Sequence, residues 1–245
     1  MKASARTAAA CLLLLAASVR GARGAGFDAD AGASATVGSG GYHRFSLFAD
    51  GNWTGKTLEP YAWGQYAVDN DLSQFGAGGG AWKQLTPGLS VKAGAGFYVG
   101  RLRDTDQTGT SLLLETGLEG YSGGKTLGAE LRLTDGTIGG PAQPIRYGEA
   151  LRAQAGRRRG QAGAPSPLSY TYTELAGYGR LPLGESSLGL RLALGLPSYA
   201  SEVTSEELSL RLPLSKAWRA MTAVTLEQFA GASNAYFSLG VYRLF

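Results

Sequence analysis

The chain has 245 residues, including 38 glycines, and carries 23 lysines and arginines against 19 aspartates and glutamates. The only cysteine, Cys11, and four of the basic residues lie within the first 24 residues. The rest of the chain is therefore balanced in charge and free of thiols. This excludes a disulfide framework and a cysteine metal site, and it gives no reason to expect a nucleic-acid partner.

The first 24 residues have the pattern of a secretory signal peptide. "MKASAR" is basic, residues 8–19 are apolar, and "ARG" at 22–24 offers small residues for cleavage. A helix needs about 20 apolar residues to span a bilayer, so this run of 12 predicts a cleaved leader. We expect residues 1–24 to be removed, with cleavage after Ser18 as the alternative, and residues 25–245 to form the folded domain.

Residues 25–245 alternate between apolar and polar side chains with the period of two that is typical of β-strands. In "SSLGLRLALGL" at 186–196, for example, leucines occupy one face, while Arg191 and small residues occupy the other. The alternating runs predict twelve strands, in an all-β fold, near residues 27–37, 42–50, 57–68, 74–85, 89–100, 111–121, 126–134, 168–183, 187–197, 206–214, 218–229 and 235–245. A ten-strand arrangement with residues 25–40 outside the sheet is the alternative.

The connections between these strands predict an antiparallel up-and-down barrel. "TPG" at 86–88, "SGGK" at 122–125, "GES" at 184–186 and "SKA" at 215–217 are tight turns, and the intervening connections are mostly longer. Short connections at one end and long ones at the other are typical of membrane barrels. The longest, 135–167, is rich in Gly, Pro and Arg. We expect an extracellular loop there, which is either flexible or functional.

The strand number predicts which face is inside. A barrel of about eight strands is already filled by side chains, so twelve strands with leucine inside would leave a void. Leucine therefore faces lipid, and the charged face lines the lumen. Candidate lumen residues are Glu115, Glu119, Glu130, Arg132, Glu174, Arg180, Arg191, Glu207 and Arg211; the same face carries Asp28, Asp30, Glu59, Glu227, Arg44, Lys92 and Arg219. Such a set either lines a pore or forms a salt-bridged plug.

Aromatic residues on the lipid face predict two girdles, which are expected where a barrel crosses the two membrane interfaces. If the N-terminus is periplasmic, Phe27, Trp218 and Phe245 fall near the periplasmic end. Tyr66, Phe75, Phe97 and Phe237 fall near the outer end.

Three inward tyrosines, Tyr170, Tyr172 and Tyr178, allow two interpretations. They either form a stacking surface for sugars or cover the inward glycines of "FGAGGGAW" and "AGAGF". Aromatic rings that pack over strand glycines stabilise a sheet, and we favour this second interpretation.

The sequence contains few residues of the types that catalyse reactions. His43 is the only histidine, and its odd separation from Ser46 places the two side chains on opposite faces of a strand. They cannot share a proton within that strand. We therefore predict no catalytic residues, no metal site and no cofactor.

The closing segment "FSLGVYRLF", residues 237–245, resembles the C-terminal signal of bacterial outer-membrane β-barrels. The resemblance implies an outer-membrane location, contact with lipid and lipopolysaccharide, and recognition by the barrel-assembly machinery. It also implies that the last strand pairs with the first. Arg243 occupies a place where an aromatic is usual, which requires either a bulge or an arginine that reaches the headgroups.

These features favour a narrow passive channel for small polar solutes, with selectivity set by the charged lumen. A closed, non-conducting barrel with a structural or surface-interaction role is the first alternative. A lipid-modifying membrane enzyme is the second, and the single histidine disfavours it. The pattern does not predict an oligomeric state.

Overall fold

The computed structural model describes residues 26–54, 58–103, 108–137, 170–198, 202–229 and 232–245. The predicted leader and most of the predicted loop at 135–167 lie outside these residues. The described residues form a closed antiparallel barrel in which each strand pairs with its neighbours in sequence. The strands are β1 (Phe27–Gly38), β2 (Tyr42–Trp53), β3 (Leu58–Asp69), β4 (Leu72–Thr86), β5 (Leu89–Leu102), β6 (Thr108–Ser122), β7 (Lys125–Gly136), β8 (Tyr170–Leu183), β9 (Ser186–Pro197), β10 (Val203–Pro213), β11 (Trp218–Phe229) and β12 (Ala232–Leu244).

The predicted fold class and the predicted twelve strands are confirmed. The ten-strand alternative is wrong, because β1 is a full strand that pairs with β2 on one edge and with β12 on the other. No helix in the described part of the chain is long and apolar enough to cross a membrane.

The barrel closes through β1 and β12, whose pairing runs from Asp30 opposite Leu244 to Gly38 opposite Tyr236. The ladders of β12 with both neighbours show no register shift, so there is no bulge at Arg243. Its guanidinium carbon lies 5.1 Å from the ring centroid of Phe245. A closed barrel leaves no unpaired sheet edge, which is the condition for a β-structure in lipid.

We call the end of the barrel where β1 begins and β12 stops the terminal end, and the opposite end the loop end. Turns at the terminal end are tight. Gly123 and Gly124, which join β6 to β7, have φ values of 57° and 77°. This left-handed backbone is the conformation that a two-residue hairpin turn requires and that glycine adopts without strain.

The prediction of mostly long connections at the loop end is only partly correct. The links at 103–107, 137–169 and 198–202 are the longer ones, but β1–β2, β3–β4 and β11–β12 are joined by two or three residues. Between β1 and β2, residues 39–41 form a 3₁₀ turn in which Gly40 and Gly41 have positive φ. Between β3 and β4, the Asp69 carboxylate accepts hydrogen bonds from the backbone amides of Asp71 and Leu72. Local features of this kind allow short turns at places where longer loops were expected.

The two faces of the sheet differ sharply in composition. On β6, the outward side chains of Leu112, Leu114 and Leu118 are half or more exposed, whereas the intervening Leu113 and Glu115 are buried. The same alternation continues on β7 and on β8 to β12, where the leucines face outward except for Leu244, which lies directly opposite Asp30. The charged face therefore lines the inside of the barrel.

Candidate functional site in the barrel lumen

Among the described residues, inward side chains line two cavities in the lumen. One, of about 690 Å³, lies toward the terminal end and is lined by residues such as Asp28, Asn52 and Trp82. The other, of about 720 Å³, lies toward the loop end and is lined by residues such as Thr36 and Tyr172. Both are lined by Asp30, Phe48, Asp50 and Gln65. We call these four residues the junction, because they are shared by the linings of the two cavities.

A network of six ion-paired side chains lies on the wall formed by β5 to β9. Glu130 is at its centre and lies within 3.2–3.3 Å of nitrogens of Lys92, Arg132 and Arg191. The remaining pairs are Lys92–Glu115 at 3.0 Å, Arg132–Glu115 at 3.7 Å, Arg132–Glu174 at 3.5 Å and Arg191–Glu174 at 2.6 Å. With three carboxylates and three cations, the network is neutral as a whole.

Strand register creates this network. Glu115 lies directly opposite Arg132, and Arg132 lies directly opposite Glu174 on the next strand. Directly paired residues have Cβ atoms about 5 Å apart, which brings these opposite charges into contact. Tyr61 extends the network from β3, because its hydroxyl donates to a Glu115 carboxylate oxygen at 2.5 Å.

On the β1–β2 wall, in contrast, carboxylates lie next to each other without a cation in contact. Asp30 and Asp50 are directly opposite each other across the two strands, and both face the cavities. Within the described part of the chain, neither carboxylate forms a hydrogen bond or an ion pair, and the same is true of Asp28. Arg44 and Arg211 also line the loop-end cavity.

The predicted lumen residues fall into two groups. Glu115, Glu130, Arg132, Glu174 and Arg191 form the ion-pair network. The other four lie outside it: Glu207 and Arg211 line the loop-end cavity, Glu119 accepts hydrogen bonds from the hydroxyls of Tyr178 and Tyr121, and Arg180 occupies an exposed position on the inward face near the terminal end.

Two contributors were missed in the sequence. Asp50 has the same parity on β2 as Arg44 and Ser46, so the alternation itself could have identified it. Tyr61 could not be found in this way, because its role depends on contact with Glu115 three strands away.

The inward glycines of β4 and β5 do lie under aromatic rings, but not under the predicted ones. The Trp63 ring covers Gly78 and Gly96, which are paired across the two strands. Tyr61 covers the next such pair, Gly80 and Gly94, and Tyr98 covers Gly76.

Tyr172 and Tyr178 instead cover Gly195 and Gly128 on the strands beside their own. The assignment of these two tyrosines to the β4–β5 glycines is therefore wrong. Neighbouring strands are about 4.8 Å apart, so a ring on β8 reaches β7 and β9 but not β4. The side chain of Tyr170 lies outside the described residues.

The predicted girdle aromatics lie on the outward face, although Phe245 also borders the terminal-end cavity. Phe27, Trp218 and Phe245 are at the terminal end, and Tyr66 and Phe75 are directly opposite each other near the loop end. Phe97 and Phe237 lie deeper along their strands, with the Phe97 ring 6.2 Å from that of Phe75. Two outward aromatics were not predicted: Trp53, which contacts Phe27 with ring centroids 4.6 Å apart, and Phe45.

His43 and Ser46 are not arranged for catalysis. The His43 side chain is exposed on the outward face at the loop end, where its Nδ1 lies 3.3 Å from the carbonyl oxygen of Gly41. Ser46 faces the loop-end cavity and contacts Arg44.

The chain matches no protein-family model and no curated protein, but it is similar to solved structures. A KdgM porin in complex with disordered oligogalacturonate has a TM-score of 0.57 at 10% identity, over 87% of this chain and 98% of that chain. The COG4313 outer membrane channel from Pseudomonas putida F1 has a TM-score of 0.59 at 9% identity, over 90% and 96%. The translocator domain of autotransporter NalP from Neisseria meningitidis has a TM-score of 0.55 at 13% identity, over 98% and 97%.

At these identities the comparisons establish the fold alone. It is the closed barrel of bacterial outer-membrane proteins, and the proteins that share it differ in function. Since one fold can carry many functions, the function of this barrel depends on the residues that line its lumen.

Proposed function

We propose that residues 25–245 form an outer-membrane barrel that acts as a narrow passive channel for small polar solutes. The observation that carries this proposal is the pair of lumen cavities that share the junction residues and are lined by many charged and polar side chains. Two of the solved structures with this fold are described as a porin and an outer membrane channel, which is consistent with the proposal.

The envelope setting follows from the sequence features. The leader at 1–24 directs export and is removed, and the terminal end then faces the periplasm. The outward leucines and aromatic girdles contact lipid and lipopolysaccharide, and the last strand engages the barrel-assembly machinery. The long connection after β7 lies on the cell surface.

Within the channel, the charged lumen residues set which solutes pass. Glu207 and Arg211 act from the loop-end cavity, and Glu119 and Arg180 act near the terminal end. The ion-pair network holds the β5–β9 wall in shape. A pore wall of fixed charges selects solutes by electrostatics over short distances.

The network also favours a second candidate, a closed structural barrel, because ion pairs of this kind can rigidify a plugged lumen. We favour the channel because the network lies along one wall. The facing wall, with Asp30 and Asp50, has carboxylates directed into both cavities. We propose no enzymatic activity, since His43 and Ser46 lie on opposite faces of β2 and cannot share a proton.

The test is single-channel conductance of refolded residues 25–245 in planar bilayers. A channel gives discrete, reproducible current steps. Protein that is shown to be inserted and folded, for example by heat-modifiable migration on gels, yet gives no steps is a closed barrel and contradicts the proposal.

Neighbouring glutamates on β10 provide a matched pair of variants. Glu207 faces the loop-end cavity, whereas Glu206 is exposed on the outward face beside Leu208. Glu207→Gln should change the size of the current step, and Glu206→Gln should leave it unaltered. Equal effects of the two variants would mean that the current does not pass through the lumen.

A further inference from the structure

The charges that line the cavities are unequal in number. Among the described residues, seven acidic and five basic side chains line one cavity or the other. The acids are Asp28, Asp30, Asp50, Glu115, Glu174, Glu207 and Glu227, and the bases are Arg44, Lys92, Arg132, Arg191 and Arg211.

The ion-pair network contains three of the five basic side chains but only two of the seven acidic ones. It takes Lys92, Arg132 and Arg191, and it neutralises them with Glu115, Glu174 and the buried Glu130. With Glu227 set aside because it has a partner of its own, four carboxylates remain along the cavities against two guanidiniums, those of Arg44 and Arg211. The field left in the solute path is therefore negative.

The position of the remaining carboxylates matters as much as their number. Asp30 and Asp50 belong to the junction, so a solute that moves from one cavity to the other passes both. In the described part of the chain their side-chain oxygens accept no hydrogen bond and contact no cation within 4.0 Å. Arg211 attracts both carboxylates from beyond 4.0 Å, and the rest of their charge acts on the contents of the lumen.

This arrangement has a cost. Like charges directly opposite each other on paired strands are destabilising, and ionisable groups at membrane depth are retained only where they are paired or wet. A Ser–Ser pair lies four residue pairs further along the same two strands, at Ser34 and Ser46, with Gly32 and Phe48 between them on the same face. The same two strands therefore accommodate a neutral polar pair as well as the charged one.

From these observations we infer that the channel prefers cations to anions, and that Asp30 and Asp50 at the junction set this preference. The inference rests on the proposed channel function and specifies its solute class as small cations. It concerns the field that a permeating ion crosses and does not require a bound ion. Arg211, which faces the same cavity, moderates the preference.

The measurement is the reversal potential of single channels of residues 25–245 across a KCl gradient, which yields the ratio of cation to anion permeability. We expect a ratio above one. The two carboxylates attract cations and repel anions that pass them, so Asp30→Asn combined with Asp50→Asn should lower the ratio by about two- to fivefold. Glu206→Gln, which removes an outward carboxylate, should leave the ratio as it was.

Salt concentration gives a second readout that needs no variant. The Debye length falls from about 10 Å at 0.1 M to about 3 Å at 1 M, so the cation preference of the wild-type channel should weaken as salt rises. A preference that is independent of salt would overturn the electrostatic explanation.

The outcomes separate this inference from the proposed function. Clear current steps with a ratio at or below one would overturn the cation preference and leave the channel intact. A ratio above one that Asp30→Asn with Asp50→Asn does not reduce, in protein shown to be folded, would overturn the assignment to the junction. Absence of current from inserted, folded protein would overturn both.

Discussion

At the scale of single residues, the lumen is shaped by glycines that accommodate aromatic rings. Trp63 lies over the paired Gly78 and Gly96, and Tyr61 over Gly80 and Gly94, so that rings from β3 rest on the walls formed by β4 and β5. A side chain on these glycines would push the rings into the lumen. The absence of Cβ atoms here thus keeps large aromatic groups against the wall.

Gly96→Ala tests this packing. The new Cβ would lie 2.6 Å from Cζ2 of Trp63, and overpacking of this kind costs about 1–3 kcal/mol. We expect the free energy of unfolding to fall by that amount, measured by urea titration of the refolded barrel in lipid vesicles with tryptophan fluorescence as the signal.

Gly177→Ala is the matched control. Gly177 is an outward glycine of β8, and a Cβ added there would lie 4.0 Å from its nearest neighbour, the carbonyl oxygen of Gly128. Substitutions away from packed features usually change stability by less than about 0.5 kcal/mol. If both alanine variants lose the same stability, close packing of Trp63 is not the reason for glycine at position 96.

At the scale of strands, register decides which charges meet. Glu115, Arg132 and Glu174 are consecutive partners across β6, β7 and β8, so a shift of one residue in any ladder would turn one of them toward lipid. The network therefore stabilises the register as well as the wall. Its central residue is Glu130, which contacts all three cations.

Glu130→Gln should destabilise the barrel, because it leaves three cations with two carboxylates. Breaking a fully buried pair costs about 3–5 kcal/mol. The side chains of Arg132 and Arg191 are about a quarter exposed, which reduces the cost to an expected loss of about 1–3 kcal/mol. The measurement is the same urea titration.

Lys92→Met provides the check on this prediction. In the double variant the loss should be smaller than the sum of the two single losses, since interacting partners are not additive. Strict additivity would contradict the network as a cooperative unit.

The Asp30–Asp50 pair leads to the opposite expectation. Replacing one member of a directly opposed like-charged pair removes a repulsion, and cross-strand pairs contribute about 0.2–1 kcal/mol. Asp50→Asn should therefore raise the free energy of unfolding by about that amount while it weakens cation preference. A loss of stability would indicate that Asp50 has a stabilising partner and is not free to act on solutes.

The sequence predicted the strands and their two faces because both follow from an alternation that is visible within ten residues. It could place Glu130 and Arg191 on the inward face for this reason. It could not pair them, since they are 61 residues apart and meet only through the register of three strands. The same limit explains the misassignment of Tyr172 and Tyr178, whose glycine partners depend on strand adjacency.

At the scale of the whole molecule, the strand that closes the barrel also helps to line its lumen. The β1–β12 seam removes the last free edge, and β1 also carries Asp30 at the junction. The strand that completes the barrel therefore contributes to the solute path. The charges of the β5–β9 wall neutralise one another, whereas Asp30 and Asp50 of the β1–β2 wall line the cavities without an ion-pair partner among the described residues.

The central claim is that solutes cross through the junction of the two cavities. The direct test is current through single cysteine variants of residues 25–245, which contain no native cysteine, before and after a charged thiol reagent is added. Gln65→Cys places the thiol at the junction, and Leu208→Cys places it on the outward face.

We predict that the reagent blocks or sharply reduces the current of Gln65→Cys, that a reductant restores it, and that Leu208→Cys is unaffected. Unchanged current steps from Gln65→Cys, with modification verified by mass spectrometry, would contradict passage through the junction.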